Sequence, residues 1–221
     1  MAEGDVRPLI MPLGDRGLLV RFGTVLSDEI NRAAVAFARR LRHGLPDGVS
    51  EIDPNLVSVL LKFDPAETDF DRLAGEVRLL LSSPEDADPI PPVTHHIAVA
   101  FGGSDGPDLA EAATSLGMGE SAFIDAHNAA PLRVLTTGFA PGFVYCGFHP
   151  EGLRLPRRTV VRSTVPPGSV LFAAGQTAIT STAIPTGWHV IGRTAFRNFD
   201  PAADPPTKLR EGDTVIFEAA P

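Results

Sequence analysis

The sequence predicts an α+β protein of two domains, the first small and mixed, the second built mainly of short strands. Glycine and proline number 21 each among 221 residues, a proportion that favours short strands and many turns over long helices. The segment SSPEDADPIPPV, residues 82–93, combines four prolines with acidic residues between two apolar-patterned regions, which is typical of a stiff, solvated linker. We therefore predict domains at residues 1–88 and 89–221.

The first domain shows alternating strand and helix patterns. Two short apolar runs precede a helical stripe that Ser27 can cap at its start and Gly44 at its end. The segment 57–63 then alternates apolar and polar residues, and 70–80 restores a helical period. This order predicts a small ferredoxin-like α+β unit.

The second domain opens with the strand pattern HHIAVAF and continues into two short helices. Pro107 is expected near the first helical position, with Asp108 in the first turn. The second helix is expected in GESAFIDAHNAA, and five strand patterns separated by glycine and proline turns follow from Leu132 onward. A β-barrel or compact sheet with two peripheral helices is predicted.

Charge and composition exclude several classes of protein. The 27 acidic and 19 basic side chains give a net charge of -8, which would repel phosphate backbones and anionic membranes, so we expect no nucleic-acid or membrane partner. A single cysteine excludes an intrachain disulfide framework, and no apolar run has the length of a signal peptide or membrane span. A cytoplasmic location is expected.

Nucleotide and metal motifs of standard form are missing from the sequence. GGSDGP has glycines but lacks the lysine of a phosphate-binding loop, so it is interpreted as a turn entering a helix. His95-His96 and the pair Cys146 and His149 do not have the spacing of a metal site. We expect no metal in this chain, and Cys146 is interpreted as a small core residue, with nucleophilic chemistry as the minor alternative.

The stretch GFAPGFVYCGF, residues 138–148, is the first candidate for a functional site. Pro141 and Gly142 can reverse the chain, which would place Phe139, Phe143 and Tyr145 around one apolar mouth with a phenolic hydroxyl. His127 lies at a helix end, where the helix dipole favours an imidazolium, so a surface or capping role competes there with a functional one.

Arginine and glutamine supply the other candidates. The guanidinium groups of Arg157 and Arg158 can recognise carboxylates, or they can be solvated charges at a strand edge. Gln176 follows small residues, and its amide needs hydrogen-bond partners from a ligand or from the protein. Arg193 ends an apolar run, and we expect its head group to converge with that of Gln176 on the aromatic mouth.

Seven motifs in order resemble the KipI family, also called allophanate hydrolase subunit 1, whose bacterial members include the B-type subunit of 5-oxoprolinase. The motifs are GFAPGFVY (138–145), PRR (156–158), PGSV (167–170), GQT (175–177), GW (187–188), IGRT (191–194) and GDTVIF (212–217). The resemblance extends upstream through GDRGLLVRFG, LVSVLLKFDP and FGGSDGPDL and so covers nearly the whole chain.

The resemblance implies a ferredoxin-like domain followed by a cyclophilin-like β-barrel, with the aromatic mouth in a barrel pocket that faces a partner subunit. It implies a subunit of a cytoplasmic amide hydrolase, most simply the ATP-dependent 5-oxoprolinase, inactive without partners. Such a partner would be the C-type subunit of 5-oxoprolinase or an allophanate hydrolase subunit 2 homologue. ATP would serve the assembled enzyme, at a site not identifiable in this chain. The substrate would be a small anionic amide.

The combined interpretation assigns two sets of site residues. The catalytic candidates are Gln176, Arg193, Tyr145 and His127, and the substrate-binding candidates are Arg157, Arg158, Phe143 and Thr177. The family commonly has GFPYLGGL where this chain has GFVYCGFHP, and PGGW where it has PTGW, so the identity of the amide stays open. A regulatory protein that inhibits a sensor histidine kinase, as the name-giving member of the family does, is the alternative function.

Overall fold

The computed structural model of the chain describes residues 8–83 and 91–220, which form two compact units on either side of the break. The domain boundary predicted between residues 88 and 89 lies outside the described residues. Within the described ranges, no helix is both long and apolar enough to cross a membrane.

The first unit combines one antiparallel sheet with two helices. Its elements in chain order are β1 (Leu9–Pro12), β2 (Gly17–Arg21), α1 (Asp28–His43), β3 (Val49–Pro54), β4 (Ser58–Phe63) and α2 (Phe70–Ser82). The strands lie in the order β1-β2-β4-β3. The α+β class is confirmed. The described elements follow the order β-β-α-β-β-α, whereas a ferredoxin-like domain has the order β-α-β-β-α-β. The ferredoxin-like topology is therefore not confirmed and stays a prediction.

The helices of this unit begin where the sequence predicts. The hydroxyl of Ser27 accepts a hydrogen bond from the backbone N–H of Ile30 at 3.2 Å, and Asp69 caps α2 in the same way through the N–H of Arg72 at 2.9 Å. Phe37 on α1 lies buried against the sheet. The apolar stripes of both helices therefore form one core with β2 and β4.

The second unit is a closed barrel of seven strands with two helices and a small separate sheet. Its elements are β5 (Thr94–Phe101), α3 (Leu109–Ser115), α4 (Glu120–Asn128), β6 (Leu132–Thr137), β7 (Val144–Gly147), β8 (Arg162–Val165), β9 (Ser169–Ala173), β10 (Gln176–Ile179), β11 (Ile184–Thr186), β12 (His189–Arg193) and β13 (Thr214–Ala219). The barrel order is β10-β7-β6-β13-β5-β12-β9, and β9 pairs with β10 to close it.

Alternating residues divide the barrel strands into an interior face and an outer face. All seven strands contribute buried side chains to one core cluster, which Leu109 of α3 and Phe123 of α4 join. The opposite face carries a second cluster, in which Trp188 packs with Val165 of β8 and Ile184 of β11. The predicted β-barrel with two helices is thus confirmed, and its cyclophilin-like character stays a prediction.

Candidate functional site

A hydrogen-bonded chain of polar side chains lies inside one end of the barrel. The Oγ1 atom of Thr177 lies 2.8 Å from Nε2 of His127 and 2.8 Å from Nε2 of His149. Nδ1 of His127 lies 2.7 Å from Oδ1 of Asn128. His127 comes from the end of α4, Thr177 from β10, and His149 from the segment after β7. Three separate elements therefore meet at one hydroxyl group.

The imidazoles of His127 and His149 are held neutral by burial. His127 is 1% exposed and His149 is 8% exposed, and the rings of Phe172 and Phe217 surround them. Burial lowers the pKa of His127 to about 4. Burial, with a smaller contribution from His127, lowers the pKa of His149 to about 3. The prediction of a surface or capping role for His127 is therefore wrong, because its ring points into the barrel rather than into solvent.

Phe139, Phe143 and Tyr145, which were predicted to line an apolar mouth, form a row of rings on the outer face of the barrel. Phe139 contacts Phe143 with ring centroids 5.4 Å apart, and Phe143 contacts Tyr145 at 4.7 Å. Trp188 extends the row, with its ring centroid 5.9 Å from that of Tyr145. The guanidinium carbon of Arg157 lies 5.8 Å from the centroid of the Trp188 ring. Burial raises the pKa of the Tyr145 hydroxyl, and the charge of Arg157 partly offsets this effect. Tyr145 is therefore a neutral phenol at pH 7.

Gln176 shares this outer face, whereas its neighbour Thr177 faces the interior. Ala178 pairs directly with Tyr145, and residues two apart on a strand share a face. Gln176 is 7% exposed, and its Cγ lies 3.6 Å from the position of a Cβ built on Gly147. The predicted residues Gln176, Tyr145, Phe143 and Arg157 are therefore on one side of the barrel wall, and His127 and Thr177 are on the other.

Arg158 belongs to a buried ion-pair network around Asp108. One carboxylate, 2% exposed, binds Nη1 of Arg158 at 2.8 Å, two nitrogens of Arg162, and the backbone N–H of Val190 at 2.9 Å. Arg158 also reaches Glu111 at 2.7 Å. Burial would raise the pKa of Asp108, but the hydrogen bond from Arg162 and the neighbouring charges lower it below its ordinary value. These contacts give Arg158 a structural role beside its predicted one.

Asp108 also differs from its predicted position. It stands just before α3 rather than within the first turn, and its side chain makes no capping bond there. Its oxygens serve the two arginines and β12 instead, because an ion pair with two guanidinium groups outweighs a cap. The network therefore ties the start of α3 to the segment before and within β8.

Arg193 does not converge with Gln176. Both residues lie on strands that pair with β9: Arg193 is opposite Ser169, and Gln176 is opposite Ala173. Ser169 and Ala173 are four residues apart, so the two side chains are separated by about 13 Å along β9, at roughly 3.3 Å per residue. Nη1 of Arg193 lies 3.7 Å from Asp105, and its side chain is 43% exposed. The expected convergence of the two head groups is wrong, because strand register sets them at opposite ends of β9.

The role of His149 was missed in the sequence analysis, whereas Cys146 was placed correctly in the core. His149 was considered only as a partner of Cys146, yet its ring lies 4.8 Å from that of His127, 22 positions earlier in the chain. Cys146 is fully buried and burial raises its pKa to about 12, so it is a thiol of the core. Within residues 8–83 and 91–220, no group of three or more His, Cys, Asp or Glu side chains is placed to hold a metal ion.

Comparison with known proteins places this architecture in a family. The model of the carboxyltransferase domain, subdomain C and D, matches residues 8–209 of the chain. The chain belongs to this carboxyltransferase-domain family. The family predicted from the seven motifs is confirmed, since relatives named as the B-type subunit of 5-oxoprolinase match the chain.

Two of these relatives differ in how much of the chain they match. The Bacillus subtilis (strain 168) protein is 31% identical over 222 residues, which cover 96% of this chain and 92% of that protein. The Escherichia coli O157:H7 protein is 45% identical over 121 residues, which cover 55% of this chain and 56% of that protein. The higher of these two identities thus applies to about half of each chain.

Solved structures show the same fold inside longer chains. TTHA0988 is similar with a TM-score of 0.81 and 34% identity, over 93% of this chain but only 40% of that chain. The Kluyveromyces lactis urea amidolyase is similar with a TM-score of 0.77 over 99% of this chain and 15% of that chain, at 18% identity, which shows the fold alone. The fold therefore occurs both in chains of similar length and as part of larger ones.

Proposed function

We propose that the chain is one subunit of a multi-subunit 5-oxoprolinase, which opens the lactam ring of 5-oxoproline to give glutamate with ATP. The observation that carries this proposal is the match with the B-type subunit of the Bacillus subtilis 5-oxoprolinase, which extends over 96% of this chain and 92% of that protein. In the net reaction, water adds to the lactam carbonyl carbon and the C–N bond breaks, with a proton going to the ring nitrogen. ATP would act in the assembled enzyme.

Partner subunits are part of the same proposal. The part of TTHA0988 that is similar to this chain makes up 40% of that chain, so the fold there is joined to further polypeptide. We infer that a separate protein, a C-type subunit of 5-oxoprolinase or an allophanate hydrolase subunit 2 homologue, supplies the equivalent of that further polypeptide here. Phe139 is 71% exposed and Phe148 is 36% exposed, and exposed apolar rings of this kind are suited to contact a partner.

The outer face of the barrel offers the chemistry that such a substrate needs. The Gln176 amide can bond a lactam or carboxylate group, Arg157 can attract the carboxylate, and Phe143 with Tyr145 can exclude water. Arg158 and Arg193 fit this role less well, because they are bound to Asp108 and Asp105 respectively. Catalysis and binding are thus assigned mainly to Gln176, Tyr145, Phe143 and Arg157.

Reconstitution tests the proposal. The purified chain should show no turnover of 5-oxoproline, and it should co-purify with subunits encoded beside it to give a complex that releases glutamate only when ATP is present. A complex that forms with a sensor histidine kinase instead, and lowers its autophosphorylation, would support the regulatory alternative and contradict the enzymatic one.

A further inference from the structure

We propose that His149 is a ligand-binding residue that accepts a hydrogen bond from the N–H group of a small amide through its Nδ1 atom. The hydrogen bonds that link Asn128, His127, Thr177 and His149 fix which nitrogen of His149 carries the proton. The choice of a lactam as ligand rests on the proposed function, whereas the tautomer follows from the hydrogen bonds themselves.

The tautomer of His127 is set by its neighbour. Its Nδ1 lies 2.7 Å from Oδ1 of Asn128, and an amide oxygen can only accept, so Nδ1 must carry the proton. Because the ring is neutral, Nε2 of His127 has a bare lone pair. The group facing that lone pair at 2.8 Å is the hydroxyl of Thr177, which must therefore donate its single proton to His127.

The tautomer of His149 follows from the same count. Once the Thr177 proton points to His127, Oγ1 can offer only lone pairs to Nε2 of His149, which lies 2.8 Å away. Two lone pairs at that distance would repel, so Nε2 of His149 carries a proton and donates it. In a neutral ring, Nδ1 of His149 is then an acceptor.

This acceptor is not fully buried. Nε2 of His149 is occupied by Thr177, and Nδ1 has no hydrogen-bond partner among the described residues. The fully buried side-chain nitrogens without a partner there include Nδ1 of His189 but not Nδ1 of His149. Nδ1 of His149 is therefore partly accessible, and a ligand that donates an N–H would satisfy it.

His149 lies beside the turn that joins β9 to β10. Its backbone N–H donates to the carbonyl of Gly175 at 2.9 Å, directly before Gln176. Phe148, which directly precedes His149, is 36% exposed. A lactam at this end of the barrel would meet an acceptor for its N–H in His149. A cationic His149 would carry a proton on both nitrogens and could not accept a hydrogen bond. The burial that keeps the ring neutral therefore also keeps Nδ1 an acceptor.

The first test measures the tautomer without substrate. In two-bond ¹H–¹⁵N spectra of the histidine-labelled chain at pH 7, His149 should show a protonated Nε2 and an unprotonated Nδ1. Thr177→Val, which removes the hydroxyl but keeps the shape, should mix the two tautomers, and Thr177→Ser should restore the single one. A protonated Nδ1 in the wild-type chain would overturn the proposal.

The second test measures ligand recognition with 5-oxoproline, 2-pyrrolidinone and N-methyl-5-oxoproline as probes, on the chain and on its complex. The first two carry the lactam N–H and should shift the His149 Nδ1 resonance. The N-methyl compound should bind at least tenfold more weakly, and His149→Asn, which keeps an acceptor near Nδ1, should bind better than His149→Leu. Equal binding of the methylated and unmethylated probes, or no shift by either lactam, would overturn the proposal.

The two proposals fail in different ways. A complex without ATP-dependent glutamate release contradicts the 5-oxoprolinase assignment, but lactam-induced shifts at Nδ1 would still support His149 as an N–H acceptor. An active complex in which His149→Leu changes neither KM nor the discrimination against the N-methyl probe retains the 5-oxoprolinase assignment and contradicts the role of His149.

Discussion

The imidazole rings of His127 and His149 lie 4.8 Å apart inside the barrel and share one hydroxyl group, that of Thr177. Two neutral histidines in an apolar interior are costly to protonate, since each would place a charge among phenylalanine rings. Their arrangement thus links the stability of the second unit to pH.

Stability should fall as the pH drops from 7 to 5. Unfolded histidines have a pKa near 6.5, whereas burial lowers that of His127 to about 4 and that of His149 to about 3. The unfolded chain therefore binds protons first, so the stabilisation is complete above the unfolded pKa and is lost as pH falls towards the folded ones. We expect a loss of about 2 kcal/mol per histidine between pH 7 and 5, measured by denaturant unfolding.

The control for this measurement is the double variant His127→Gln/His149→Gln, which cannot titrate at these positions. Its pH dependence should be shallower than that of the wild-type chain by the same amount. Parallel curves for the two proteins would show that these histidines do not control the effect.

Asp108→Asn should destabilise the second unit by about 3 kcal/mol, because it leaves the charges of Arg158 and Arg162 without their buried counter-ion. Glu111→Gln is the matched control, since Glu111 is 57% exposed and pairs with Arg158 at the surface; it should cost less than about 1 kcal/mol. Denaturant midpoints of the two variants provide the comparison. Equal effects would mean that the buried pair contributes no more than the exposed one.

Phe148→Asp should weaken association with the partner subunit at least tenfold while leaving the fold intact, because it places a carboxylate in a proposed apolar contact. Leu79→Asp serves as the control, since Leu79 is 72% exposed on a helix of the first unit. Dissociation constants from titration calorimetry would measure the difference. If both variants bind like the wild-type chain, Phe148 is not at the interface.

Gln176→Ala should lower kcat/KM of the assembled enzyme about a hundredfold with little change in melting temperature, as expected when one substrate hydrogen bond is lost at the reacting group. Arg193→Ala should have a much smaller effect, because Arg193 lies at the other end of β9 and pairs with Asp105. A lowered melting temperature with wild-type activity per folded Gln176→Ala complex would instead indicate a structural amide.

Local patterns carried much of the fold. Caps and apolar periods located α1 and α2, and glycine and proline turns separated the barrel strands, because these signals depend on residues a few positions apart. The closing of the barrel depends on pairings such as β5 with β13, more than a hundred positions apart. Such pairings leave no local signal, so the strand patterns alone could not choose between a barrel and a sheet. The barrel was predicted from the family resemblance.

The site divides in the same way. The row Phe139, Phe143 and Tyr145 was predictable, because all three residues flank one turn. The contact of His127 with His149 was not, since a helix end and a loop meet only through the barrel. One feature of the sequence does point to this contact. Thr177 and Gln176 are neighbours on a strand and so face opposite sides of it, and a polar residue on an apolar interior face needs a hydrogen-bond partner.

The most direct test of the central claim is a titration of this chain into its purified partner subunits, with glutamate release from 5-oxoproline measured in the presence and absence of ATP. If the chain is an obligatory 5-oxoprolinase subunit, release should be absent without it, rise in proportion to the chain added, stop at a fixed stoichiometry, and require ATP. Release that is independent of the added chain, or a saturated complex that releases no glutamate with ATP, would contradict the account.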